Sequence, residues 1–241
     1  MIVKDKGFVL KKVNFRETSI IVSFFTEKYG KMTGILKGFY SPKKEFTTSM
    51  ERFTLNEIVF YPKKTQVWLV SFADLLREYS LVRRDYEKYI VTGQIFNLVE
   101  QVMPLWDRNE KVFRLLEMTL DNLADLPPKK LMYVFLIKFL HYCGVKPEFH
   151  LCIQCHRELK GAISFSTTKG GLVCWRCRRN NTDLSSLAPE VIASLRYLQR
   201  YDFPHILRIK PSSACEDRIL NVLDTFLAYH LEFKMMDQVY S

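Results

Sequence analysis

At 241 residues, 48% of them hydrophobic, the chain is long enough to bury one large core or two smaller ones, and its formal net charge is +10. The opening MIVKDKGFVLKKV lacks the apolar run of about 7 to 15 residues of a signal peptide. The most apolar stretch, Leu131 to Cys143, is shorter than the roughly 20 residues that span a bilayer and contains Lys138, so the reading is a soluble protein of a reducing cytosol with no membrane partner.

The charge is uneven. Residues 1–84 carry sixteen Lys and Arg against eight Asp and Glu, and the rest of the chain carries twenty against eighteen. An excess confined to the first third points to a module that binds a polyanion. The competing reading is a solvated basic face that serves solubility.

That first third reads as short strands. Candidates are Phe8 to Val13, the two arms of TSIIVSFFTEKYGKMTGIL around a Gly-containing turn, Phe53 to Tyr61, and Val67 to Phe72. In the second strand Ile20, Val22 and Phe24 face one way and Ile21 and Phe25 the other, so both faces need cover, as in a small closed barrel or under a capping helix. Five strands with no helix until ADLLREYSLVRR predict an OB-type barrel over residues 1–79, with an SH3-like barrel as the alternative.

Within it, LKGFYSPKKEF sets Lys37, Lys43 and Lys44 around Phe39 and Tyr40. Ammonium groups neutralise phosphates while an exposed ring stacks on an unpaired base. Alternatively the rings tuck beneath the barrel and the lysines solvate the loop. Lys11, Lys12 and Arg16 complete the candidate DNA contacts of this module.

From about Leu81 the apolar period becomes helical. YIVTGQIFNLVEQV ends at Pro104, EKVFRLLEMTLDNLADL ends at Pro127 and Pro128, and KKLMYVFLIKFLHYC is apolar almost all round, hence central, with Gly144 as C-cap. LAPEVIASLRYLQR and CEDRILNVLDTFLAYHLEFKMM return to helix, the latter behind Ser212 or Ser213 as N-cap. The expected organisation is α+β: the barrel, a helical domain over 80–241, and an insertion at 148–181.

The insertion holds four of the six cysteines. Cys152 and Cys155 bracket two residues, as do Cys174 and Cys177 eighteen residues later. Two such knuckles can present four thiolates to one Zn²⁺ in a tetrahedron, and a sphere closed by four protein ligands leaves no position for substrate. The expected ion is one structural zinc that replaces a core the segment is too short to build. His150 and His156 flank the first knuckle and are not needed. Arg176, Arg178 and Arg179, with Trp175 among them, are a candidate second nucleic-acid contact or an exposed polar rim. Cys143 and Cys215, in helical segments, read as small buried hydrophobes. No phosphate-binding Gly-rich loop, H-E-x-x-H or G-x-S-x-G is present, so no enzyme is expected and no catalytic residue is nominated.

Barrel, helices and four-cysteine ribbon in this order resemble the bacterial recombination mediator family RecO over nearly the whole chain. GFVLKKVNFRETSIIVSFFTEKYGKMTGILKG, with Arg16 and Glu17 and the T-E-x-Y-G turn, is similar to that family's first domain. FLHYCGVKPEFHLCIQC and FSTTKGGLVCWRC are similar to its two knuckle regions, with His156 standing where a glycine is common. The resemblance implies a DNA repair protein that binds single- and double-stranded DNA, anneals strands coated with single-strand binding protein (SSB), and acts with RecR to help load RecA. It also implies recognition of the acidic, hydrophobic SSB tail by the helical domain. Lys130 and Lys138 would suit that tail, or are solvated helix ends. It implies a cytoplasmic, nucleoid-associated place. The alternatives from the residues alone are a protein-interaction scaffold and an RNA-binding factor.

Overall fold

The computed structural model describes residues 2–41, 46, 48–62 and 65–235. The chain divides into two compact units, Met1–Asp121 and Asn122–Ser241.

In the first unit β1 (Val3–Phe15), β2 (Ser19–Thr26), β3 (Gly30–Leu36), β4 (Thr54–Tyr61) and β5 (Val67–Glu78) close into an OB-like barrel in the order β1-β2-β3-β5-β4. All pairs are antiparallel except β3 with β5. Ile20, Val22 and Phe24 of β2 point into the barrel with Val9, Met32, Ile58 and Val70, as alternation predicts. A register shift between Val9 and Lys11 bends β1 so that it serves β2 along one half and β4 along the other.

The barrel's outer face is covered by helices of the same unit. After the short α1 (Leu81–Arg84), Asp85 caps α2 (Tyr86–Val102) by accepting from the Lys88 N–H, and Asn109 caps α3 (Glu110–Asp121) through the Val112 N–H at 3.1 Å. Phe8 of β1 lies with its ring centroid 6.1 Å from Phe96 of α2 and 5.1 Å from Phe113 of α3, and Phe25 of β2 lies 6.5 Å from Phe113. All four rings are fully buried, each worth about 1.5–3 kcal/mol of transfer free energy. The cover required by the two-sided β2 is thus supplied by α2 and α3. The change from strand to helix falls near residue 80, while the compact unit runs on through α3.

The expected helix start at ADLLREYSLVRR is corrected: residues 73–78 are the far end of β5, which pairs along β4 until Thr54 meets Glu78. Register shifts between Leu55 and Asn56 and between Val59 and Phe60 break the alternation. Adjacent Leu75 and Leu76 are both exposed, which imitates helical spacing in the sequence.

The parallel β3–β5 pair spans only Thr33 to Ile35 against Val67 to Leu69. Beyond it the segment after α2 fills the seam: Leu105 bridges Lys31, the Trp106 N–H donates to Lys31 O at 2.8 Å, and the Trp106 indole packs on the barrel core. Gly30, at φ +66°, permits this approach, since a Cβ there would lie 1.9 Å from the Asp107 carbonyl oxygen.

In the second unit α4 (Pro128–Tyr142) is central, buried from Lys130 through Leu140, and packs on α5 (Pro189–Arg200) and α7 (Ser213–His230). Ser212 is the N-cap of α7, accepting from the Cys215 N–H at 3.3 Å, and that helix stops at His230, short of Met235. A four-residue α6 (Phe203–Ile206) lies between α5 and α7. Cys215 is buried beside Ser194, and Cys143 is half-buried. The inserted ribbon is a three-stranded sheet of β6 (Ser164–Ser166), β7 (Gly171–Val173) and β8 (Leu184–Ser186) in the order β7-β6-β8. Among the described residues no helix is long and apolar enough to cross a membrane.

Lys130 and Lys138 are not solvated helix ends. Lys130 Nζ donates to the carbonyls of Leu207 and Ile209 at 2.7 and 2.6 Å, and Lys138 Nζ to those of Gln199 and Tyr201 at 3.3 and 2.6 Å. Both lysines are 6% exposed, and burial lowers the pKa of each. Their charge satisfies carbonyls where α5 and α6 end.

Candidate functional site

The cysteine centre is assembled from two knuckles. In the first, the Cys152 N–H donates to Arg157 O at 3.0 Å, and the His156 N–H donates back to Cys152 O at 2.8 Å. This hairpin needs a left-handed residue at its corner, and His156 adopts φ +56°. The histidine there accepts about 1 kcal/mol of strain. The second knuckle leaves β7 directly, with the Cys177 N–H donating to Cys174 O at 3.0 Å.

The four Sγ atoms lie within 4.8 Å of one another, with Cys155 Sγ 3.9 Å from Cys174 Sγ. A tetrahedron with metal–sulfur bonds of about 2.3 Å has edges of about 3.8 Å, so the cluster fits one tetrahedral ion with little adjustment. Cys152 and Cys174 are buried, Cys155 and Cys177 half-buried. Burial opposes ionisation of Cys152, but the backbone N–H groups of Cys174, Cys155 and Gln154 aimed at its sulfur outweigh it and bring the thiol down to about 6. Cys177 is pushed up to about 12 by burial, by hydrogen bonds to the other three sulfurs and by the charge on Cys152. Cys152 is thus favoured as a thiolate, and Cys177 resists ionising until a cation joins them. His150 and His156 are exposed and outside the group, so the donor set among the described residues is four sulfurs.

The candidate nucleic-acid residues of the barrel divide by what already engages them. The turn joining β1 to β2 and the segment after β3 meet: the Tyr40 N–H donates to Thr18 O at 3.0 Å, and the Tyr40 hydroxyl donates to Asn14 Oδ1 at 3.0 Å. Arg16, at φ +56° in that turn, is exposed, with its guanidinium 5.2 Å from the Phe15 ring centroid. Lys37 is exposed just before Tyr40, and Tyr40 itself is 50% exposed. Phe39 instead lies tilted against Phe46 with centroids 5.3 Å apart and packs on the barrel core, so of the two rings Tyr40 is the one offered to solvent.

Lys11 is exposed on β1. Lys12 is half-buried and pairs with Glu51, donating also to Ser49 O, so its charge is largely spent within the fold. Lys43 and Lys44 lie outside the described residues. Asn14, which fixes the Tyr40 hydroxyl, carried no signal in the sequence because a single asparagine in a strand has no spacing to be recognised by. In the ribbon Arg176, Arg178 and Arg179 are all exposed, the last two on a single 3₁₀ turn after Cys177.

Comparison with known proteins divides the chain near residue 80, where strand gives way to helix, and not at the boundary of the compact units. A family model described as Recombination protein O N terminal matches residues 1–79, and one described as Recombination protein O C terminal matches residues 83–237. The curated relatives include DNA repair protein RecO of Alkaliphilus metalliredigens, 24% identical with 96% of this chain and 95% of the relative covered. That of Desulfatibacillum aliphaticivorans is 28% identical over 95% and 92%, and that of Chlorobium phaeobacteroides 28% identical over 96% and 93%.

Proposed function

The chain belongs to the recombination protein O family of DNA repair proteins, and from that premise we propose that it is a non-catalytic DNA-binding mediator of the cytoplasm and nucleoid. It binds single- and double-stranded DNA, anneals complementary strands coated with SSB, and acts with RecR to help load RecA. The observation that carries the DNA-binding part is the join between the β1–β2 turn and the segment after β3. There Arg16 and Lys37 place exposed cations near Tyr40, whose hydroxyl is anchored on Asn14.

Such a surface takes phosphates by charge and an unpaired base by stacking. Two strands held on one protein raise each other's effective concentration, and base pairing then drives annealing without a chemical step. The four sulfurs would hold one structural zinc, and a coordination sphere closed by four protein ligands keeps no position open for substrate. It would hold the two knuckles together, with Cys152, Cys155, Cys174 and Cys177 as its ligands.

The test mixes two complementary strands coated with SSB and follows duplex formation by fluorescence. Acceleration at stoichiometric protein without ATP supports the reading. DNA binding without acceleration reduces the protein to a binding module or scaffold, and a strong preference for structured RNA moves it to the RNA-binding class.

A further inference from the structure

We propose that the second knuckle carries its own site for single-stranded nucleic acid, in which the Trp175 indole stacks on an unpaired base while Arg157, Lys160 and Arg176 hold the flanking phosphates. This deepens the DNA-binding reading above and rests on it.

Trp175 is 53% exposed, the only one of the three tryptophans left in solvent, since Trp68 is buried and Trp106 half-buried. A small ribbon short of apolar cover would gain from burying so large a ring. Its core is instead made by Cys152, Val173 and Cys174, with Ile153, Leu159 and Leu184 packed against them. The indole is nevertheless held in place. Gly161, at φ +69°, lies so close that a Cβ there would stand 2.9 Å from Trp175 Cδ1, and the Arg176 guanidinium lies 5.3 Å from the ring centroid. The ring is also carried between two cysteines of the metal centre, which fixes its backbone.

Beside the indole opens a cavity of about 570 Å³ lined by Arg157, Glu158, Lys160, Trp175 and Arg176 along with Cys155, Cys174 and Cys177. That is within the roughly 300–1,000 Å³ of small-ligand sites, room for about one nucleotide. Three cations face one carboxylate. Glu158 reaches Lys160 only at 4.0 Å, with both side chains about four-fifths exposed, so the pair is loose and easily exchanged for phosphate.

A fixed, exposed aromatic plane among cations is the chemistry of single-strand binding: every base has a face to stack, and the phosphates on either side meet the charges. An acidic peptide would satisfy the cations and leave the indole without a planar partner. Cations that merely balance a zinc tetrathiolate would likewise leave the exposed ring unexplained.

The test compares wild type with Trp175→Ala and Trp175→Phe on a short oligothymidine and on duplex DNA, with metal content measured in each. Expected are about tenfold weaker single-strand binding for Trp175→Ala, most of it retained by Trp175→Phe, unchanged duplex binding, and one metal per chain throughout. Independently, a single strand carrying a halogenated deoxyuridine, irradiated on the wild-type protein, should form its adduct at Trp175. Unchanged single-strand affinity, an equal loss on duplex, or displacement by an acidic peptide but not by oligothymidine overturns the site. If Trp175→Ala loses metal, the wild-type adduct decides, and its absence at Trp175 sinks the proposal. Tyr40→Ala separates the two readings: lost affinity there with a neutral Trp175→Ala rejects the ribbon site and leaves the barrel, whereas wild-type protein that binds no DNA rejects both.

Discussion

The indoles of Trp68 and Trp106 stack with centroids 3.8 Å apart and 23° between their planes. Trp68 belongs to β5 of the barrel and Trp106 to the segment after α2, so the pair fastens that segment across the seam where β3 and β5 part. Trp106→Ala removes the stack and uncovers the seam. A loss of about 2–4 kcal/mol in urea unfolding is expected, with secondary structure retained in water. A loss below about 0.5 kcal/mol would show that the segment merely rests on the barrel.

Replacing Cys152 or Cys174 by Ser takes a buried ligand from the cluster. Metal content should fall from one ion per chain to near zero, and the ribbon should become protease-sensitive around residues 150–187 while the first unit keeps its unfolding midpoint. A strong chelator should do the same to the wild type. Full metal retention in both variants would mean that the sulfurs do not form the site.

Asn14→Ala frees the Tyr40 hydroxyl, and Tyr40→Ala removes the ring. The first should weaken single-strand binding a few-fold and the second about tenfold, by titration of a labelled oligonucleotide. Arg16→Glu with Lys37→Glu should also lower the slope of log affinity against log salt by about one to two. A salt slope that the doubly substituted protein shares with wild type would remove phosphate contact from this face.

Burial pushes Tyr79 up to about 12, with the Arg77 hydrogen bond working against it and Asp121 adding to it. Its ring lies 6.3 Å from Phe8 beneath the helices. A pKa raised on folding gives stability that is complete below the unfolded value near 10 and is lost as pH rises through the folded value. Between pH 10 and 12 wild type should therefore lose about 2 kcal/mol more than Tyr79→Phe in urea unfolding. Parallel curves for the two proteins would place the ring in water.

Lys138→Met keeps the stem of the side chain and removes the donor to Gln199 and Tyr201. Two part-buried carbonyls then lose the ammonium that bonds them, and a loss of about 1–3 kcal/mol is expected in unfolding of the second unit. An unchanged midpoint would show that water reaches both carbonyls.

What the sequence revealed and what it hid follow from how local each signal is. The cysteine pairs were legible because the ligands of each knuckle sit three positions apart and geometry leaves few other uses for them. The strands of the barrel were legible through alternation, as was Phe25's demand for outside cover. The end of β5 was not, because register shifts at Leu55 and Val59 put neighbouring leucines on one surface. Nor was the work of Lys130 and Lys138, whose partner carbonyls lie over sixty residues away. Phe39 and Tyr40 could not be told apart by type, since only the packed barrel decides which ring turns inward.

The seam filled by Leu105 and Trp106 also orders events during synthesis. A nascent chain released from the ribosome only as far as residue 79 has all five strands. It lacks the indole that closes the gap beside β3 and the helices that cover Phe8 and Phe25. The barrel can therefore reach its final packing only after about forty further residues have emerged, and until then its aromatic outer wall is a surface for chaperones to hold.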